Sequence, residues 1–366
     1  MREDDDWKLK SWLMQNNGTI VDHLMFQNIH GLVMCGTPAI EAAMAVESSE
    51  QVARWKARIK PGFFHHGAPE AFENAANKLI DLGLVIYDLE SEPAFCWFVD
   101  WFKANADTPG DMHHHFKKAI VAAVLARAQA KSKVLITYMK RRVALLARTA
   151  RQFDGKIYCR ENEVGRVPKA FEGKPFVRPE YWLDNEFLLP TIHDIYGFTR
   201  LESLRLTRSE RADLDAVIKM IESDAYQSLR NGYGYMAVGS GSARKCYSMG
   251  WSVHLPGWRT PPEEEECREC YIQRVELMAH FRVSRKCEWM QRSLRQLETY
   301  RTAEGTFLFP RYFLTEKRNG GYWVTGSLMG LEEDRRSSKV IEVESTYRML
   351  NIWRLLGLYK PRTCAL

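Results

Sequence analysis

The run KVIEVESTYRMLNIWRLLG, Lys339 to Gly357, is apolar over most of a helix's circumference, and its reading decides the fold class. Val343, Met349, Leu350, Ile352, Trp353 and Leu356 cover several faces, as in an inner helix, and Gly357 supplies a stop. One polar stripe interrupts the pattern: Glu344, Arg348 and Asn351 fall at i, i+4 and i+7. Such a stripe either meets water or lines a pocket, and a Glu–Arg pair on an inner helix needs mutual contact or a ligand, because burying either charge alone is costly. Upstream lie two turn-and-aromatic runs, Glu304 to Pro310 and Asn319 to Trp323.

Helical spacing continues outward through most of the 366 residues. Trp7 to Phe26 reads as two short helices split at Asn16-Asn17-Gly18, and Pro69 to Leu82 as a helix stopped at Gly83. Phe116 to Ala130 and Val134 to Thr149 are two strong helices, with His113, His114 and His115 expected on the surface at a helix N-terminus. Asp154 to Asn185 holds Pro168, Pro175 and Pro179 and reads as a long irregular connection between two helical halves. The glycine-aromatic segment from Asn231 to Trp258 shows no clean strand alternation. The expectation is an all-α, single globular domain over 1–366 with few strands.

A formal net charge of +6 is spread among 46 acidic residues, which argues against a nucleic-acid stripe and weakly for anionic ligands. No apolar run approaches membrane-spanning length and Met1 to Asp6 is acidic, so a cytoplasmic protein without a membrane span is expected. Eight cysteines, among them the isolated Cys35, Cys96, Cys159 and Cys246, are too dilute for a disulfide scaffold. Val238 to Ser242 is glycine-rich but lacks the lysine of a phosphate loop.

Short helices joined by glycine-aromatic turns, such as Asp154-Gly155-Lys156-Ile157, Gly234-Tyr235, Glu304-Gly305-Thr306-Phe307 and Gly321-Tyr322-Trp323, resemble in style the α/α toroids of terpenoid cyclases and protein prenyltransferases. The resemblance implies a barrel of paired inner and outer helices, irregular loops over one end, and a ligand in the central cavity. The chain departs from both families. Asp213-Leu214-Asp215 lacks the last position of the cyclase Asp-x-Asp-Asp box. Cys267-Arg268-Glu269-Cys270 with Cys287 finds no zinc-binding histidine, since His280 falls on the polar face of its helix, away from Cys270. No metal and no cofactor is expected.

Candidate chemistry then rests on side chains alone. His254 stands between Trp251 and Trp258 in irregular backbone, where a proton carrier is easily presented. Asp194, in Thr191-Ile192-His193-Asp194-Ile195-Tyr196, and Glu344 complete the expected catalytic set. Expected to bind substrate are Arg348, Trp251, Tyr322, Trp323, Glu73, Asn74 and Arg335; Glu73 and Asn74 follow His65 and His66. Arg335 and Arg336 suit a carboxylate or phosphate clamp, or a solvated charge run. The leading expectation is a lyase or isomerase using acid–base chemistry on an apolar, isoprenoid-like small molecule with an anionic group. A carbohydrate-active lyase or glycoside hydrolase acting on a glycan, and a non-catalytic helical scaffold, are the alternatives.

Overall fold

A computed structural model describes residues 3–30, 37–160, 163–165, 167–239, 244–317 and 319–358. Cys35, Met1, Arg2 and most of the glycine-rich run after Val238 lie outside them. The described chain is mostly helical, with a few short strands. No described helix is long and apolar enough to cross a membrane.

The chain clusters into two compact units, one of Met1–Phe98, Arg127–Gln129 and Pro256–Leu366, the other of Val99–Ala126 and Ala130–Leu255. In the first unit the Ser338–Leu355 helix is central, packed by Tyr271–Ala279, Glu3–Asn16 and Thr19–Leu24. Ser337 caps its start, its side chain accepting from Lys339 N at 3.0 Å. Its hydroxyls tie down the upstream aromatic run: Thr346 Oγ1 accepts from Phe307 N and Ser345 Oγ from Phe309 N, both at 3.0 Å. The expected inner helix is present, and its polar stripe meets protein, since Glu344 and Arg348 are both buried.

In the second unit the Lys133–Arg151 helix packs against Arg208–Ile221 and Ile192–Glu202. Residues 154–185 fall within this unit. Within them Phe176–Val177 forms a strand parallel to Tyr235–Val238, which pairs antiparallel with Lys245–Ser248. The glycine-aromatic segment therefore holds a strand pair where no strand is expected: Tyr235-Met236-Ala237-Val238 is too short and too uniformly apolar to alternate, and tertiary pairing decides it. A second hairpin pairs Trp182–Leu183 with Glu186–Phe187.

Candidate functional site

The ten expected site residues divide between the units. Glu73, Asn74, Tyr322, Trp323, Arg335, Glu344 and Arg348 belong to the first, Asp194, Trp251 and His254 to the second.

Four of the first seven converge. The Phe72–Asp81 helix is buried along nearly its whole first two turns. The loop before it doubles back, so that Phe72 N donates to Phe63 O at 2.8 Å and Glu73 N to Phe64 O at 3.1 Å. Asn74 then stitches two loops together. Its Nδ2 donates to His66 O at 2.9 Å, Ala68 O at 2.8 Å and Gly321 O at 3.2 Å, and its Oδ1 accepts from Trp323 N at 2.8 Å. Gly321 N closes the join by donating to Gly67 O at 2.8 Å. Gly320 and Gly321 have φ of +78° and +127°, and a Cβ on Gly321 would stand 2.6 Å from Ser327 Cβ. Only glycine fits that turn.

The join brings His65 against Glu73. His65 Nδ1 hydrogen-bonds Glu73 Oε2, and the imidazole stacks on the Tyr322 ring at 4.7 Å and 21°. Glu73 is fully buried, whereas the His65 side chain is 29% exposed. A buried carboxylate behind a solvent-touching imidazole fixes the ring's tautomer and orientation: with Nδ1–H given to Glu73, Nε2 carries the lone pair. Trp323 backs this arrangement. Its Nε1 donates to Asp81 Oδ2 at 2.6 Å, Arg127 lies over its ring at 4.2 Å, and Arg127 pairs with Asp81 at 2.6 Å.

The other expected residues occupy different settings. Glu344 does not pair with Arg348. Arg335 clamps it with Nη2 at 2.6 Å and Nε at 2.9 Å, and Leu331 N and Glu332 N donate to it at 2.8 and 2.9 Å. The carboxylate that Arg335 suits is thus the chain's own. Arg348 instead meets Glu276 at 2.6 Å and donates to Met329 O at 2.5 Å. The i, i+4 spacing brings the two side chains to one stripe, but each finds a better partner on a neighbouring segment.

Asp194 caps its own helix, accepting from Thr191 N at 2.9 Å and Thr191 Oγ1 at 3.0 Å, and takes both Arg142 Nε at 3.0 Å and Nη2 at 3.1 Å. Burial works against its charge, and Arg142 outweighs burial and holds its carboxyl below the usual range. Trp251 packs on Phe116 and His193 with centroids 4.5 and 4.8 Å away. His254 is half-buried in backbone held by Gln227, whose side chain bonds Val253 O and Leu255 N, both at 3.0 Å.

Beside Asp194 lies a cluster the sequence reading misplaces. His115, expected on the surface, is fully buried, with Nδ1 3.1 Å from Glu186 Oε2 and Nε2 without a hydrogen-bond partner among the described residues. Met112, Phe116 and Ala119 share its buried side, a helical spacing that was legible and that outweighs the triple-His run. Burial pushes the His115 ring below its ordinary range. Burial opposes the charge on Glu186, yet His115, Arg142 and Lys118 hold its carboxyl down at about 2.

His65, which the structure sets against Glu73, is absent from the expected set. The His65-to-Glu73 spacing of eight residues crosses a loop and a helix start, so no single-element periodicity reveals it. Compared with known proteins, the chain matches no family model, no curated protein and no solved structure.

Proposed function

We propose that the protein is an acid–base enzyme, a lyase or isomerase in kind, in which His65 exchanges the proton and Glu73 positions and charges it. The observation that carries this reading is the bond from the partly exposed His65 ring to the fully buried Glu73 carboxylate. In the reaction Nε2 takes a proton from an acidic C–H or O–H of a small molecule. Glu73 stabilises the imidazolium that forms, and the same nitrogen returns the proton. The architecture proposed with it is the α/α toroid, supported by glycine-aromatic turns of the Gly320–Trp323 kind. A cytoplasmic setting goes with it, supported by described cysteines that form no disulfide. A second reading, elimination on a glycan, is favoured by the His65–Tyr322 stack, since Tyr322 would supply a second proton carrier beside the histidine.

The test is incubation of the purified chain with a metabolite extract, and separately with acidic glycans, in D2O, followed by mass spectrometry. Depletion or deuterium uptake in at least one component is expected, with H65Q lowering its rate roughly 10²–10⁴-fold. Depletion that survives H65Q, or none with the wild type, overturns the proposal.

A further inference from the structure

The Cys267-Arg268-Glu269-Cys270 run plays no part in the histidine dyad. We propose that Cys267, Cys270 and Glu265 form a binding site for a borderline-soft divalent cation, zinc in the first instance, with a coordination position left for water or a ligand. The expectation of no metal turned on the missing histidine; here the third donor is a carboxylate two residues upstream of the first cysteine.

Cys267 stands between the other two donors and touches each of them. Arg268–Cys270 is a single 3-10 turn at the head of the Tyr271–Ala279 helix. It folds the second thiol back over the first, with Cys270 Sγ 3.2 Å from Cys267 O and a thiol–thiol hydrogen bond between the two side chains. Cys267 Sγ donates to Glu265 Oε2 at 3.6 Å. Two ligands of one tetrahedral zinc, a sulfur about 2.3 Å and an oxygen about 2.1 Å from the metal, stand roughly 3.5 Å apart. Glu265 is also aimed: Gly257 N at 2.9 Å and Thr260 Oγ1 at 3.1 Å hold Oε1, which turns Oε2 toward the thiol. The turn itself is pressed into place. Gly326, at φ +75°, lies so close that a Cβ would stand 2.2 Å from Glu269 O and 2.7 Å from Cys270 Cα.

Binding replaces two S–H protons by two metal–sulfur bonds and adds one metal–oxygen bond. Two protons leave, and the three anionic ligands with a dication carry a net charge of −1.

The reduced, chelator-treated full-length chain titrated with Co(II) is the experiment. The expected result is one equivalent bound with a near-ultraviolet thiolate-to-cobalt charge-transfer band, displaced by Zn(II), and proton release that grows as pH falls toward neutrality. C267S and C270S should each weaken binding roughly 100-fold or more. T260V, which leaves every ligand in place, should weaken it about tenfold. A folded, reduced wild type without the band overturns the site, as does a band unchanged in both cysteine variants. The readout needs no turnover, so it stands apart from the fate of the histidine dyad.

Discussion

Glu344 and Glu73 show how differently two fully buried carboxylates can be employed. Glu344 is saturated by Arg335 and two backbone N–H groups, all inside the fold, and has no capacity left for a substrate. Glu73 spends one oxygen on an imidazole that reaches solvent. The first arrangement stabilises, and the second is the one the proposed chemistry uses. R335A leaves an uncompensated buried carboxylate and is expected to lower unfolding free energy by about 3–5 kcal/mol, read by urea denaturation. R336A, which removes an exposed pair with Asp334, should leave the midpoint unchanged. E73Q tests the second arrangement: the imidazole loses its anionic partner, and turnover by whatever substrate the screen reveals should fall roughly 10²-fold or more with KM little changed. Equal activity in E73Q would leave Glu73 a structural residue only.

Among elements, the Trp182–Phe187 hairpin positions chemistry-bearing groups with least support of its own. Its two paired positions, Trp182 with Phe187 and Leu183 with Glu186, enclose a two-residue loop, Asp184-Asn185, with φ of +52° and +62°. Left-handed backbone at both loop positions is the pattern of a type I′ turn, whose twist matches the strands it joins. The turn carries Glu186 to His115 and Trp182 edge-on to the same ring, 5.9 Å between centroids. Asn tolerates this backbone and Gly adopts it without strain, so N185G should raise stability by about 0.5–1 kcal/mol, and N185V should lower it. Thermal unfolding of both variants measures this, and destabilisation by N185G would show that the Asn185 side chain contributes more than the backbone relief. The hairpin is absent from the sequence expectation because three prolines nearby point to irregular chain, whereas its evidence is a two-residue turn without glycine.

Across the whole molecule, buried histidines and paired carboxylates make stability depend on pH. Burial, then the charges of Arg354 and Arg127, pushes His280 down to about 3, and burial lowers His115 as well. Each folded ring binds its proton less readily than the unfolded one, so below about 6.5 the unfolded chain takes up protons first and stability falls, by at most about 1.4 kcal/mol per pH unit per ring. Asp194 and Glu186, held low in the fold, add a further loss below about 4.5 as they are forced to protonate. Burial raises Glu276 and Glu332, which oppose the trend above about 4.5, where the folded chain takes up their protons first. Urea midpoints at about pH 7, 5.5 and 4 should fall in that order, with H280Q flattening the first interval; a flat profile would show these groups to be solvated. What the sequence determined by itself was the helical class, the inner helix ending before Gly357, the Phe72–Asp81 helix and the glycine-aromatic turns, because periodicity and turn chemistry are properties of neighbouring residues. Tertiary structure alone decided which charges meet. Glu344 takes Arg335 over Arg348, His115 goes inward to Glu186, and His65 reaches Glu73 around a loop closed by Asn74, since a buried charge selects its partner from every segment packed around it.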